Sequence, residues 1–390
     1  MIDPVSVPAS LMSDALASAV GAPEHKNAPV AHPLSGRIML QIRSNSADAV
    51  LGQLDQGRSG LVLSGRGAVK KAAGLRYQGY AGTILVDPAV YEGAYASEDA
   101  PFPEVDSDTL AFGDPLGQAV FDQTAARASA VLTPTGYIRA EDSGALKAAV
   151  NAVLALDDPR LVLTVPIDVM WLSDETLPQL IRWLSKVPNP KAVILGGQKD
   201  PLGRFKQAVP NLCTLMREVP SAGLLRTDLA AFGAMAQGAD FTAFGASSSL
   251  RHTVPPDEPA ERSPFNAKSP HVLFPELMRF FLGSTIASKF AAKPAPVCQC
   301  AACGGRPLDA YPDRTNPRTG MASAHNVAVL MEWQRTLSAI EPGPAQALWW
   351  KQRCQEALAR YDLVNAAIDQ PRAFKPDAQL TRWADLDLDG

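Results

Sequence analysis

Residues 161–195, LVLTVPIDVMWLSDETLPQLIRWLSKVPNPKAVIL, contain the repeating unit that decides the fold. Two continuous apolar runs, Leu161–Val165 and Ala192–Leu195, enclose a segment with a helical pattern, Leu177–Val187. A strand that is buried on both faces reads as an unbroken apolar run, whereas a half-exposed strand alternates. The stretch therefore predicts a strand–helix–strand unit of a parallel sheet.

Apolar runs of this kind recur along the chain, and segments that can hold helices, such as Ser143–Leu156, lie between them. Eight strand–helix units in about 220 residues predict an α/β protein with a (β/α)8 barrel, and a doubly wound sheet is the alternative. The runs are Arg37–Ile42, Gly60–Leu63, Thr83–Val86, Ala130–Leu132, Leu161–Val165, Ala192–Leu195, Gly223–Leu225 and Phe241–Phe244.

The bulk composition limits the classes of partner. The chain has 390 residues, 46% of them hydrophobic, and a formal net charge of -4, which allows a large core and argues against a general nucleic-acid coat. A local basic groove remains compatible with that charge. We find no signal-peptide pattern and no apolar run long enough to cross a bilayer, so we expect a soluble, cytoplasmic protein without a membrane partner.

The remaining segments complete the predicted domain organisation. A Pro-rich polar stretch, Ser247–Ser269, is expected to form a long surface loop, and His271–Phe290 is expected to form an apolar helix. The tail from His325 to Ile368 has a helical pattern, and we expect its tryptophans to pack in the core. We predict a leader at 1–35, a barrel at 36–290, a zinc subdomain at 291–345 and a helical tail at 346–390.

A compact cysteine motif predicts a metal site. Three of the five cysteines form C-x-C-x-x-C at Cys298, Cys300 and Cys303, and a His-Asn pair follows at His325. Zinc prefers four thiolate or imidazole ligands in a tetrahedron, and an odd cysteine count with one cluster indicates metal binding in a reducing compartment. We predict one structural zinc ion on these four residues. The histidines that compete for the fourth position are His32, His252 and His271.

A barrel followed by C-x-C-x-x-C and a helix-borne His-Asn is similar to the tRNA-guanine transglycosylase superfamily, over roughly residues 36 to 345. The resemblance implies an enzyme that exchanges guanine in a nucleic acid, tRNA or DNA, for a 7-deazaguanine base through a covalent glycosyl-aspartate. It also implies that the zinc subdomain helps to hold the nucleic acid. A homodimer or a heteromeric partner subunit is compatible with it.

The resemblance assigns base handling to two strand ends. Asp87 ends the third strand, where the family has an aspartate that handles the base, although the Ser-Gly-Gly-Phe-Gln that follows in the family is replaced here by residues 88–92, PAVYE. Gly196 and Gly197 follow the sixth strand, where the family's glycine amides approach the purine edge. Gln198 comes next, at the expected rim of the site.

The attacking carboxylate departs from the family pattern, which is Gly-x-Asp-x-x-Asp with the second Asp as the nucleophile. Here the second position is Ala243, and Asp240 matches the first. We therefore predict Asp87 and Asp240 as the catalytic pair, with both side chains at the carboxyl-terminal mouth of the barrel. Asp168, which ends the fifth strand, is a further candidate outside the family pattern.

Arg251 lies shortly after the eighth strand, where the family carries an arginine, and we expect it to contact phosphate. Three further cations, Arg262, Lys268 and Arg279, extend a basic strip. Two other functions remain open. One is a catalytically silent homologue that binds nucleic acid or a partner subunit, which the loss of the second Asp favours. The other is a hydrolase of 7-deazaguanine nucleosides.

Overall fold

The barrel strands have the positions that the apolar runs predict. The computed structural model describes residues 32–104, 113–259 and 269–388. Its main sheet has eight strands in the order β3-β2-β1-β8-β7-β6-β5-β4, and the strand pairs in register are parallel. The strands are β1 (Arg37–Arg43), β2 (Gly60–Ser64), β3 (Thr83–Asp87), β4 (Val131–Leu132), β5 (Leu161–Asp168), β6 (Lys191–Gly196), β7 (Ala222–Thr227) and β8 (Phe241–Gly245).

The two ends of this sheet meet. The amide of Ser129, just before β4, donates a hydrogen bond of 2.7 Å to the carbonyl oxygen of Ile84 in β3. The sheet therefore curls into a nearly closed barrel with helices around it, and the predicted (β/α)8 architecture is confirmed. The alternative of a doubly wound open sheet is wrong.

Helices follow β2 to β7 and cover the outside of the barrel. The predicted helix Ser143–Leu156 forms with these bounds, because the side chain of Asp142 caps it by accepting a 3.0 Å hydrogen bond from the amide of Ala145. The others in the barrel are α1 (Ala68–Tyr77), α2 (Pro115–Ala125), α4 (Leu177–Leu184), α5 (Ala208–Glu218) and α6 (Ala230–Ala236), with Ser143–Leu156 as α3. A 3-10 segment, Ser44–Gln53, connects β1 to β2.

Apolar side chains fill the inside of the barrel. All eight strands contribute to one buried cluster, with Met39, Val62 and Leu85 as the members from β1 to β3. Successive side chains of a strand point to opposite faces, so the inward row continues two residues later with Gln41, Ser64 and Asp87 at the carboxyl-terminal end. The mouth of the barrel is thus polar where the layer beneath it is apolar.

The segment after the barrel is not the helix that we predicted. His271–Phe290 forms an antiparallel hairpin, β9 (His271–Phe274) and β10 (Arg279–Leu282), followed by a short helix, α7 (Gly283–Lys289). Pro275 interrupts the apolar run, and Met278 takes a left-handed conformation (φ 46°) that reverses the chain. A continuous apolar run does not by itself distinguish a buried strand from a buried helix.

The last part of the chain holds a small hairpin and three helices. The hairpin is β11 (Val297–Cys298) with β12 (Arg306–Pro307), and the helices are α8 (Asn316–Ser338), α9 (Pro344–Ala367) and α10 (Ala378–Ala384). The helical tail is therefore confirmed, although α8 begins before His325. Trp333 and Trp350 are buried as expected, and both rings pack against Phe232 of α6.

The chain from Pro33 onward packs as one compact unit. The proposed boundaries between barrel, zinc subdomain and tail stay a prediction, and the leader lies almost wholly outside the described residues. None of the described helices combines the length and apolar character that a bilayer crossing requires.

Candidate functional site

The three motif cysteines and His325 come together in a buried cluster. Nδ1 of His325 lies 3.4 Å from Sγ of Cys298, 3.6 Å from Sγ of Cys300 and 3.3 Å from Sγ of Cys303. All four ligand atoms lie within 4.8 Å of one another, which suits one ion at the centre of a tetrahedron. Among the described residues, His325 is the histidine of this cluster, and the competing histidines take no part in it.

Backbone hydrogen bonds within the motif position the cysteines. The amide of Gly304 donates to the carbonyl oxygen of Cys300, and that of Gly305 donates to the carbonyl oxygen of Cys298, each at 3.0 Å. Both glycines have positive φ (54° and 95°), a conformation that glycine adopts at no steric cost. The turn therefore aims the thiol groups toward one point.

His325 is oriented by the hairpin that replaced the predicted helix. Its Nε2 lies 2.8 Å from the carbonyl oxygen of Leu273, and the side chain of Asn326 bonds the amide of Leu273 (2.7 Å) and the carbonyl oxygen of His271 (2.9 Å). With its proton on Nε2, the ring presents a free lone pair on Nδ1 to the metal. The four residues could therefore hold a metal ion. With four protein ligands, the site leaves no open position for catalysis.

Asp87 lies at the barrel mouth and accepts hydrogen bonds from four groups around it. Its Oδ2 accepts hydrogen bonds from Gln41 (2.7 Å), Ser64 (3.1 Å) and Tyr91 (2.6 Å), and its Oδ1 accepts one from the amide of Ala89 (2.9 Å). Burial raises the pKa of Asp87, whereas Arg226 and the hydrogen bonds oppose that rise. The carboxyl group is only 1% exposed, so it is held in one orientation.

Arg226 is a mouth residue that our reading of the sequence missed. It lies near the end of β7 in the left-handed conformation (φ 50°), where the pairing of β7 with β8 shifts register. Its guanidinium donates to Tyr91 (3.3 Å) and to the carbonyl oxygens of Ser249 (2.8 Å) and His252 (3.0 Å). Such strain in a non-glycine residue persists only where the surroundings enforce it, and it is concentrated at functional sites. The available signal was a charged residue inside the apolar run GLLRT.

Glu92 joins Arg226 to Arg43. Its Oε1 lies 2.5 Å from Arg226 and 2.9 Å from Arg43. Burial alone would raise the pKa of Glu92, but the two arginines hold it below its ordinary value. These three residues line a cleft of about 440 Å³ whose far wall is formed by the loop after β8, including Ser248 and Glu258.

The residues at the ends of β5 and β6 that were predicted to bind substrate contact other residues of the chain. Asp168 accepts hydrogen bonds from Tyr137 (3.2 Å) and from the amide of Met170 (2.9 Å). At Gly196 a Cβ atom would lie 2.3 Å from the ring of Tyr137, so this glycine makes room for the tyrosine. The amide of Gly197 donates a hydrogen bond to the carbonyl oxygen of Thr253 (2.9 Å). This amide, which we expected to contact a purine, is therefore already bonded within the chain.

Two more predicted residues are Gln198, which follows β6 and contacts the loop after β8, and Arg251 of that loop. The side chain of Gln198 donates a hydrogen bond of 2.9 Å to Glu258, across the mouth. Arg251 packs its guanidinium over the ring of Phe280, 3.3 Å from the centroid, and burial lowers its pKa to about 10. Of the expected basic strip, Arg279 pairs with Asp377 at 2.6 Å. Arg262 and Lys268 lie outside the described residues.

Asp240 does not face Asp87, and that prediction is wrong. Asp240 precedes β8, its carbonyl oxygen accepts a 2.7 Å hydrogen bond from Gly36 just before β1, and its side chain accepts one from Ser35 at 3.1 Å. It therefore lies at the amino-terminal end of the barrel, the length of a five-residue strand (roughly 16 Å) from the mouth. Ala243, which the resemblance aligns with the nucleophile position, is buried in the apolar interior.

A second cavity at the mouth contains three aspartates that the sequence analysis also missed: Asp377, which pairs with Arg279, and the two carboxylates Asp200 and Asp228. About 200 Å³ in volume, it is lined by Asp200, Asp228, Arg251 and His252, among others. Burial and the nearby Asp228 raise the pKa of Asp200 to about 7. The signal for Asp228 was its position directly after β7, at the end where barrel enzymes carry catalytic groups.

Two donors orient Asp228 within this cavity. Its Oδ1 accepts a hydrogen bond of 3.0 Å from the amide of Ala230, and its Oδ2 accepts one of 2.5 Å from the side chain of Gln379 in α10. Burial lowers the pKa of His252 and brings that of His271, another lining residue, to about 4, so the His271 imidazole is neutral at pH 7. The arrangement can supply an attacking carboxylate and a proton donor to one ligand.

Compared with known proteins, the chain matches no protein-family model and no curated protein sequence.

Proposed function

We propose that this chain is a transglycosylase that exchanges guanine for a 7-deazaguanine base in a nucleic acid, and that Asp228 and Asp200 are its carboxylates. The observation that carries the proposal is the shared cavity of these two residues at the carboxyl-terminal mouth of the barrel. Chemistry at a glycosidic bond uses such a pair, one group as nucleophile and the other as proton donor. A pKa near 7 makes Asp200 the acid of the pair.

In this mechanism Asp228 attacks the anomeric carbon of the target nucleotide. A C–O bond forms, the bond from that carbon to guanine breaks, and the proton of Asp200 moves to the leaving base. An incoming 7-deazaguanine then reverses the step: its nitrogen displaces the carboxylate and its proton returns to Asp200. The target base must leave its stack to reach the cavity, and Arg251 on the cavity wall is suited to contact phosphate.

The same proposal includes a zinc ion on Cys298, Cys300, Cys303 and His325. Three thiolates and one imidazole form the donor set that zinc prefers, and the ion would stabilise the subdomain that resembles the family's nucleic-acid-binding face. All five cysteines are unpaired, which supports the proposal that the protein works in a reducing compartment.

The test is incorporation of a labelled guanine or 7-deazaguanine base into tRNA or DNA. We expect Asp228→Asn to abolish incorporation and Asp200→Asn to reduce it by 10²-fold or more, the usual contribution of a general acid. Asp240→Asn is the matched control, because it changes a carboxylate at the other end of the barrel and is expected to retain incorporation. Loss of incorporation in Asp240→Asn alone would overturn the assignment of Asp228. Release of a labelled base without incorporation would indicate hydrolysis instead.

A second candidate is a catalytically silent homologue that binds nucleic acid or a partner subunit. Two observations favour it: Ala243 is buried in the apolar interior, and the amide of Gly197 bonds Thr253. This candidate predicts that the wild-type chain binds tRNA or DNA but incorporates no base into either. Incorporation by the wild-type chain excludes it.

A further inference from the structure

The two arginines that hold Glu92 come from separate strands and converge on one carboxylate. Arg43 ends β1 and contacts both carboxylate oxygens, with Nη2–Oε1 at 2.9 Å and Nη1–Oε2 at 3.4 Å. Arg226, near the end of β7, contacts Oε1 at 2.5 Å. Planar guanidinium groups in this arrangement form a receptor for an oxyanion, and Glu92 occupies it.

Glu92 differs from Arg226 in its freedom to move. The guanidinium of Arg226 is 4% exposed and is tied to two backbone carbonyls of the loop after β8, whereas the side chain of Glu92 is one-third exposed. Glu92 ends a short 3-10 turn that follows β3, so its side chain can rotate into the cleft without unfolding a regular element. Arg226 is therefore the fixed part of the receptor, whereas Arg43 and Glu92 are each about one-third exposed and can rearrange when Glu92 is exchanged for another anion.

The surroundings of this receptor match a phosphate group. The arginines and Glu92 lie on the wall of the 440 Å³ cleft, and Ser248 and Ser249 line the same cleft. Two guanidinium groups and nearby hydroxyl groups offer more donors than the two oxygens of a carboxylate use, whereas a phosphate has three or four oxygens to accept them. Glu258, another residue that lines the cleft, is exposed to solvent.

We propose that Arg43 and Arg226 form a phosphate-binding site and that Glu92 is its internal stand-in, which a phosphate-bearing ligand displaces. The proposal does not depend on base exchange, because binding is measured without any reaction. The phosphate belongs either to a mononucleotide or to a nucleic-acid backbone, and these sources share the same contacts with the site.

The test compares binding by the full chain with and without the competing carboxylate. Isothermal titration with inorganic phosphate, guanosine 5′-monophosphate and a single-stranded oligonucleotide is expected to show about tenfold tighter binding of at least one probe in Glu92→Gln, since a charge-assisted contact is freed. Tightening with the first two probes indicates a mononucleotide phosphate, and tightening with the oligonucleotide alone indicates a backbone phosphate.

Two further variants make the result specific. Glu258→Gln removes the same charge from the other wall of the cleft without touching either arginine, and we expect it to change affinity by less than about twofold. Arg43→Gln combined with Glu92→Gln should abolish the gain. Equal tightening in Glu258→Gln and Glu92→Gln, or no tightening with any probe, overturns the proposal. A circular dichroism melting curve for each variant confirms that it is folded.

Discussion

The hydroxyl of Tyr91 donates a hydrogen bond of 2.6 Å to Oδ2 of Asp87, and both side chains are almost fully buried. Tyr91 also accepts a hydrogen bond of 3.3 Å from Arg226. The phenol thus joins the carboxylate at the end of β3 to the guanidinium at the end of β7. We expect this chain of contacts to hold the mouth of the barrel in one arrangement.

Replacing Tyr91 with Phe tests this arrangement. The change leaves one buried lone pair of Asp87 without its donor, so we expect the free energy of unfolding to fall by about 2 kcal/mol. Urea denaturation measures it. Tyr95→Phe is the matched control, because the Tyr95 hydroxyl bonds the exposed Asp257 and its loss should cost less than about 1 kcal/mol. Equal losses in the two variants would contradict a special role for the buried contact.

The raised pKa of Asp200 predicts a pH dependence of stability. Burial and Asp228 bring that pKa to about 7 from an ordinary value of 3.8, so between these values the folded protein binds one more proton than the unfolded chain. The contribution of Asp200 to the free energy of unfolding is fully present below pH 3.8. It is lost as the pH rises through 7, at about 1.4 kcal/mol per pH unit.

Asp200→Asn removes this contribution and keeps the oxygen that accepts a hydrogen bond from the amide of Gly203. We expect unfolding free energies measured from pH 4 to pH 8 to fall less steeply in the variant than in the wild type. We also expect the variant to be the more stable of the two at pH 8. Parallel pH profiles of the two proteins would show that Asp200 titrates at its ordinary value.

Metal binding is expected to stabilise the folded chain by several kcal/mol, because ligation free energy becomes folding free energy. Cys300→Ser should therefore lower the melting temperature and abolish the one bound metal ion per chain that elemental analysis is expected to find in the wild type. Chelation should lower the wild-type melting temperature in the same way.

Cys354→Ser is the control for this prediction. Cys354 is fully buried in α9 and lies outside the metal cluster, so this variant should lose stability while it retains the metal. Retention of the metal by Cys300→Ser would disprove the four-residue site.

The glycine at the end of β6 is expected to be essential for packing. In Gly196→Ala the new Cβ would lie 2.3 Å from the ring of Tyr137, which is itself buried, so overpacking should cost about 1–3 kcal/mol. Gly74→Ala in α1 places its Cβ in open space and should raise stability by about 0.5–1 kcal/mol. Thermal denaturation measures both variants. Destabilisation of Gly196→Ala alone indicates close packing at this glycine, whereas destabilisation of both variants indicates a general intolerance of substitution at glycines.

Sequence patterning predicted the barrel well because its signal is local. Strands buried on both faces read as apolar runs, and Asp142 placed the start of α3 through a cap three residues away. The same approach failed at His271–Phe290, where an apolar run fits a hairpin as well as a helix and only the turn at Pro275 and Met278 decides.

The mouth of the barrel was the least predictable part. Asp87 was assigned by the family resemblance to the end of the third strand, and it does end β3, but Asp240 was placed at the wrong end because a motif match carried more weight than its position before β8. Arg226 and Glu92 are separated by more than a hundred residues and meet only when β3 and β7 close into one barrel. A contact of that kind has no signature in either local segment.

The sequence by itself determined two things about this protein: the positions of the eight strands of a (β/α)8 barrel, and three cysteines that with His325 could hold a metal ion. Both depend on residue type at short spacing, three cysteines within six residues above all. Tertiary structure alone decided which carboxylates share a cavity, which amides are already bonded and which arginines converge. Those relationships arise when distant strand ends meet at one mouth, since proximity in the fold is set by barrel closure and not by distance along the chain.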